Sequence, residues 1–353
     1  MGLTPESLRD SSFLRACRGE IPDRTPVWIL RQAGRFLPQY REVRARYPDF
    51  LDFIHDADAC AEVTCQPPAL LGVDAAILFT DLPPILVPFG FDLSYREGEG
   101  PRLANPLRAG DGRSLAAYDP VSELGYVFDA VRACRKALAP GMPLIGFAGA
   151  PWTVACYAVD GGGGKDFPKA RAWFHSDPKG FTRVLEVLAD TTADYLAAQA
   201  EAGCQAVQLF ESWGGLLGPG DYRRIVVPVL ERLLDRLHSQ APDVPVLLYC
   251  NGASTLLPVL RELPVQVLAI DWRIGLDQAR ALVGNRPLQG NFDPTLLHAP
   301  TETIVQRVQE ASRAAAGGPW IANLGHGILP DAPVAGLKAL IDAVHALPTE
   351  SVA

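Results

Sequence analysis

The chain has 353 residues, 48% hydrophobic and 20% charged, an ordinary globular composition with enough apolar material for a large core. Its net charge of −8 argues against nucleic acid as the main partner, and no run of about 18 apolar residues could span a membrane. Seven scattered cysteines without a CxxC pair fit reduced thiols in a cytoplasmic protein.

The first residues, Met1 to Glu6, lack a basic region followed by an apolar core, so no secretory signal is expected. Gly2 does not make a myristoylation site, because position 6 is Glu rather than Ser or Thr. Residues 5–19 place Leu8, Leu14 and Ala16 as for a short leading helix, and residues 1–24 read as an N-terminal extension. Next comes Val27-Trp28-Ile29-Leu30-Arg31-Gln32-Ala33-Gly34-Arg35-Phe36-Leu37-Pro38. Its apolar beginning predicts a fully buried strand. Arg31 then stands where the strand leaves its sheet, and Gly34 lets the following turn pass close to whatever lies there. Arginine offers a rigid fork of donors to carboxylate or phosphate. One such residue could equally be a structural ion pair; two around a glycine favour an anion site. Residues 39–53, rich in Arg and aromatics, read as a helical loop extension.

From there apolar runs alternate with amphipathic stretches, as in βα units. The eight runs are Val27–Gln32, Ala75–Asp81, Leu144–Ala148, Ala206–Ser212, Val246–Asn251, Val267–Trp272, Pro287–Asn291 and Trp320–Leu324. Helices are expected near 57–71, 122–139, 178–202, 221–239, 254–262, 276–283, 301–315 and 333–346. Eight such pairs predict an α/β fold, a (β/α)8 barrel forming a single domain over residues 1–353; a doubly wound open sheet is the other arrangement this alternation permits. Two connections are long. Residues 85–108 alternate as for a small hairpin, and Tyr157 is followed by Gly161-Gly162-Gly163-Gly164-Lys165, expected to be a flexible lid. Long βα loops on a barrel wall the catalytic face.

The strand exits are unusually polar: Arg31-Gln32, Thr80-Asp81, Glu211-Ser212, Cys250-Asn251, Asp271-Trp272-Arg273, Gln289-Gly290-Asn291 and Asn323-Leu324-Gly325-His326-Gly327. Asp293 before Pro294 reads as a helix cap. Glu211 and Asp271 read as scaffold carboxylates paired with arginines. The glycine run is no phosphate loop, because Val159 and Asp166 stand where glycine and Ser/Thr are needed. Zinc would require clustered His and Cys, and only Cys250 and His326 are at hand. Ser212 lacks a nucleophile elbow, so a hydrogen-bonding role is expected. His326 between two glycines is open to close approach by a ligand.

These stretches resemble the uroporphyrinogen decarboxylase family. The resemblance runs in order through Pro26–Trp28 with Arg31–Pro38, Ile77–Asp81, Gly146–Thr153, Gln208–Trp213, Leu288–Asn291 and Asn323–Gly327, nearly the whole chain. It implies a barrel lyase, usually a homodimer, that works without cofactor or metal. The implied reaction decarboxylates the four acetates of uroporphyrinogen III to methyls. Carried over by motif, Arg31, Gln32, Ala33, Gly34 and Arg35 would bind substrate carboxylates, and Asp81 would contact the pyrrole N–H groups. Tyr157, Ser212 and His326 would contact carboxylates or assist proton transfer. Phe36 and Thr80 stand where Tyr and Ser are common. Tyr249-Cys250-Asn251 is similar to the His-x-Cys of zinc-dependent, corrinoid-linked methyltransferases on the same barrel, but lacks its His. Such a methyltransferase, or a non-catalytic tetrapyrrole-binding protein, are the alternatives.

Overall fold

The computed structural model describes residues 6–96, 100–110, 115–316 and 318–348. Seven parallel strands neighbour one another in sequence order. They are β1 Ala76–Ile77, β2 Leu144–Gly149, β3 Ala206–Glu211, β4 Val246–Cys250, β5 Val267–Ile270, β6 Leu288–Gln289 and β7 Trp320–Ile321. Every residue of β2, β4 and β5 is buried, as befits staves between a packed lumen and an outer ring of helices.

Residues 27–29 stand in the eighth stave's place and close the barrel; the strand expected over Val27–Gln32 is reduced to one bridge at Val27, because the chain enters a turn at Leu30. On one side Val27 bridges in parallel to Ala322, whose N–H donates to Pro26 O at 2.8 Å. On the other, Asp74 N–H donates to Val27 O at 2.7 Å. The Asp74 carboxylate completes this seam: Oδ2 accepts from Val27 N–H and faces His345 Nε2, both at 2.8 Å, while Oδ1 takes Arg24. One buried acid thus joins the first stave to the last helix, Val334–His345. Inside the lumen, Trp28 Nε1 donates to Gln289 Oε1 (3.0 Å) and Gln289 Nε2 to Gln208 Oε1 (3.2 Å).

Helices Ala57–Leu71, Pro178–Ala202, Leu276–Val283 and Thr301–Ala315 lie where the periodicity places them. Asp56 caps the first by accepting from Asp58 and Ala59 N–H, and Gly72 ends it in the left-handed region. The helices expected near 254–262 and 333–346 form as Ala253–Leu260 and Val334–His345, while others break at polar caps and prolines. The leading segment forms Glu6–Arg9 and Ser12–Cys17, the second capped by Ser11; its first residues, 1–5, lie outside the described residues. Residues 39–53 yield Pro38–Arg44 and Phe50–His55, the latter capped by Asp49. The helix expected over 221–239 opens with a π turn, Tyr222–Val226, before Val227–Gln240. Pro228 has no N–H to offer Arg224 O, so the ladder shifts there.

Candidate active site

Arg31 leaves the first stave with φ +63°, a left-handed conformation unusual for a side chain other than glycine. Its neighbours hold it there. Leu30 N–H donates to the buried Asn323 Oδ1 at 2.9 Å, and Ile328 N–H to Leu30 O at 3.0 Å. Gln32 accepts from Ile29 N–H at 3.0 Å and donates through Nε2 to Ala75 O at 2.9 Å. Gln32, expected from the resemblance to bind substrate, therefore spends its buried side chain as a strut between two staves. Gly34 follows closely, for a Cβ there would lie 2.7 Å from Arg31 O. The turn leaves the N–H groups of Ala33, Gly34 and Arg35 without a protein acceptor among the described residues. The exposed guanidiniums of Arg31 and Arg35 likewise make no hydrogen bond or ion pair among those residues. Two cations beside free amides have the chemistry to hold anionic groups.

Asp81 follows β1 at its exit, where Phe79 N–H donates to Thr64 Oγ1 at 3.0 Å. Its Oδ1 accepts from Leu82 N–H and its Oδ2 from the Tyr95 hydroxyl, both at 2.8 Å. Tyr95 arrives on the expected hairpin, formed by Leu93–Arg96 and Gly100–Leu103; residues 97–99 at its tip lie outside the described residues. This contact is not foreshadowed in the chain, since nothing local marks Tyr95 apart from its hairpin neighbours. The glycine run differs from the free lid expected. Gly162 bridges to Arg102, and Leu103 N–H donates to Gly161 O at 2.9 Å, so the run docks as a third edge on the hairpin.

Tyr157 sits near the end of helix Pro151–Asp160, against Phe167 and Trp213 at ring separations of 5.8 and 6.3 Å. Trp152 Nε1 donates to Trp213 O at 2.9 Å, tying that helix to the turn of Ser212. Ser212 is half-buried, its carbonyl accepting from Asn251 Nδ2 at 3.2 Å, and its hydroxyl makes no bond among the described residues. His326 is half-buried beyond β7, and the Tyr249 hydroxyl fixes its neighbour by donating to Gly325 O at 2.9 Å. A line of rings, Phe147, Phe210 and Tyr249, crosses β2, β3 and β4 towards the imidazole. Gly327 lets the Arg31 stem lie flat, since a Cβ there would collide with it.

The field of Arg31 links these exits, acting on Asp81, Tyr157 and His326 alike. Burial pushes Asp81 above the usual carboxylate range, opposed by Tyr95, Leu82 N–H and then Arg31. Burial raises the Tyr157 phenol to about 12, with the Asp81 charge adding to it. Burial and then Arg31 hold His326 below the ordinary histidine value, which keeps its ring neutral at pH 7.

Not every polar exit belongs to this group. Gln289 points into the lumen, and Asn291 Nδ2 donates to Asp271 O and Ile274 O at 3.0 and 2.6 Å. Asp271 pairs with Arg273 as expected, but Glu211 pairs with no arginine among the described residues. It is fully buried, accepting from Thr153 Oγ1 at 2.6 Å and from the Tyr222 hydroxyl at 3.5 Å. Cys250 lies beside it, both packed under Gly214. Among the described residues no three His, Cys, Asp or Glu side chains converge as metal ligands.

Burial pushes Glu211 up to about 8 from a reference of 4.5. An acid raised on folding stabilises the native state fully below its unfolded pKa, and that contribution is lost as pH rises to the folded value. Glu211 should therefore impose a slope of about 1.4 kcal/mol per pH unit on stability between these two values. Glu211→Gln, which stays neutral, is expected to flatten that slope in denaturant titrations at pH 5, 6, 7 and 8. An unchanged slope would show that Glu211 is ionised in the native protein.

The fold and the groups at its strand exits define a (β/α)8-barrel enzyme. Residues 8–347 match the family model described as uroporphyrinogen decarboxylase (URO-D), and the chain belongs to that family. It is 44% identical over 343 residues to the uroporphyrinogen decarboxylase of Chloroflexus aggregans, covering 95% of each chain. It is 42% identical over 340 residues to that of Geobacter sp., covering 96% of this chain and 99% of the relative. Among solved structures, a methyltransferase from Methanosarcina mazei superposes with a TM-score of 0.79 at 18% identity, over 95% of this chain and 97% of that one. That likeness concerns the fold alone.

Proposed function

We propose that this chain decarboxylates uroporphyrinogen III, converting its four acetates to methyls and yielding coproporphyrinogen III. One observation supports the reading in a member of this family: the exposed guanidiniums of Arg31 and Arg35 make no hydrogen bond or ion pair among the described residues, and the field of Arg31 reaches the half-buried carboxylate of Asp81. A substrate with eight carboxylates needs local cations, the more so against a net charge of −8. The Asp81 carboxylate beside these cations then has a different task.

That task is to stabilise positive charge. A proton added to the ring carbon bearing an acetate turns the pyrrole into an electron-poor cation. The bond to the carboxylate breaks, its electron pair flows into the ring and CO2 leaves. A proton then adds to the exocyclic carbon, and loss of the ring proton restores the pyrrole with a methyl group. Asp81 accepts the pyrrole N–H groups and lowers the energy of the cation. Arg31, Arg35 and the amides of Ala33 and Gly34 hold the carboxylates that are not reacting, and Ser212 and neutral His326 bind others. Tyr157, His326 or a bound water assists proton transfer; a guanidinium, with a pKa above ~12, is a poor acid, and the buried Tyr157 phenol at about 12 is a weak one as well. The protonated pyrrole is itself the electron sink, so the reaction calls for no cofactor or metal. The enzyme acts in the cytoplasm as a homodimer, each subunit one domain with residues 1–24 as an extension. No helix among the described residues is long and apolar enough to cross a membrane.

Incubation with anaerobically reduced uroporphyrinogen III, followed by counting carboxylates on the product, tests the activity. Loss of four is expected. Binding with all eight retained would leave a tetrapyrrole-binding protein, and neither binding nor turnover would end the reading. In the same assay Arg35→Ala should raise KM by roughly 10- to 100-fold, the worth of one charge-assisted contact at about 1.5–3 kcal/mol. An unchanged KM would make Arg35 a surface residue only.

A further inference from the structure

The hairpin of Leu93–Arg96 and Gly100–Leu103 brings one hydroxyl to the Asp81 carboxylate. Tyr95 turns inward from its first strand, with its ring 4.4 Å from that of Phe50 and its O–H donating to Asp81 Oδ2 at 2.8 Å. It is the one side chain hydrogen-bonded to Asp81 among the described residues. The hairpin is itself clamped. Leu103 N–H donates to Gly161 O at 2.9 Å and Gly163 N–H to Pro101 O at 3.3 Å. A Cβ at Gly162 would stand 2.9 Å from Pro101 O, so the clamp needs glycine there. Gly161 also ends the helix that carries Tyr157, with its N–H donating to Tyr157 O. The same loop therefore sets the heights of both tyrosines.

We infer that Tyr95 is a positioning residue: its hydroxyl locks the Asp81 carboxylate in one orientation, leaving a free lone pair on each oxygen for the substrate. This rests on the reading of Asp81 given above and deepens it. Leu82 N–H alone, on Oδ1, would let the carboxylate swing about it; a second donor on Oδ2 fixes the plane. Preorganised acceptors stabilise charge without reorganising during the reaction. The ring also brings an O–H rather than a cation, so the negative charge stays available for the pyrrole.

The same contact governs ionisation. Asp81 is faced by Arg31 from the 31–35 turn, Tyr40 from helix Pro38–Arg44, Tyr95 from the hairpin and Tyr157 from helix Pro151–Asp160. Burial disfavours its charge, and the Tyr95 bond opposes burial more than Leu82 N–H or Arg31 does. Burial and then Asp81 raise the Tyr95 phenol far above its ordinary value, so it remains a donor at all working pH values. Tyr95→Phe removes the donor and keeps the ring on Phe50. Asp81 should then hold its proton to higher pH, and activity that requires its anion should fail sooner as pH falls.

The experiment measures kcat/KM for uroporphyrinogen III across pH, with melting temperature, for wild type, Tyr95→Phe and Asp81→Asn. Tyr95→Phe is expected to move the acid limb upward by about one pH unit, to lose several-fold in rate at the optimum, and to melt near the wild-type temperature. An acid limb that stays in place overturns the proposal, whether the variant keeps its rate or loses it together with stability. Asp81→Asn separates the levels. If it turns over normally, the reading of Asp81 fails; if it is inactive while the Tyr95→Phe limb is unmoved, only the role of Tyr95 fails.

Discussion

Asp81→Asn is expected to reduce turnover by at least about 100-fold, roughly 3 kcal/mol of transition-state stabilisation, while leaving the protein folded. Asparagine keeps the size and one carbonyl acceptor. It removes the charge and turns an NH2 donor towards pyrrole N–H groups that are donors themselves. It also presents a donor where Tyr95 already donates, if the amide turns the other way. Asp81→Glu keeps the charge but displaces it by a methylene, so it should retain more activity than Asn. Were Asp81 only an anchor for Arg31 or the hairpin, Asn would lower the melting temperature and leave the folded fraction nearly fully active. Turnover and melting measured on the same preparations separate these cases.

The second large effect lies at the opposite end of the barrel. Asp74→Ala should cost roughly 2–4 kcal/mol of stability, because the buried Val27 N–H loses its acceptor and the tie to His345 goes with it. The Arg24 contact adds little, since that side chain is half exposed. For a chain of this size the melting temperature should fall by roughly 3–5 °C. Because Asp74 precedes β1 while the groups proposed for catalysis follow the strands, kcat of the folded enzyme should hardly change. A melting temperature within 1 °C of wild type would show that the seam does not depend on this carboxylate.

The sequence made the barrel legible because its staves are continuous apolar runs, and a strand buried on both faces leaves no other pattern. Arg31, Asp81, Ser212 and His326 were legible for a related reason: a polar group that directly follows such a run must emerge at the strand's end. What could not be read was which way each polar terminus turns. Gln32, Gln289 and Asn291 occupy the same kind of position as Asp81, yet they brace neighbouring staves. That choice depends on which carbonyl the adjacent stave presents, and so on residues such as Ala75, 43 positions away. Glu211 looked like an arginine's partner by composition, but a hydroxyl from Thr153 reaches it in the interior. Tyr95 was invisible because its meaning comes from a hairpin docked by a glycine loop more than 60 residues downstream.

The left-handed backbone at Arg31 sets heat resistance and chemistry against each other. Holding a side chain at φ +63° costs on the order of 1–2 kcal/mol that glycine would not incur. The anchors around it, Asn323 on Leu30 and Gln32 on Ala75, would hold the turn just as well without a side chain at 31. A library of variants sorted only by survival on heating would thus enrich glycine at this position and discard the guanidinium. Thermal selection alone would dismantle the proposed anion receptor while leaving the turn that carries it in place.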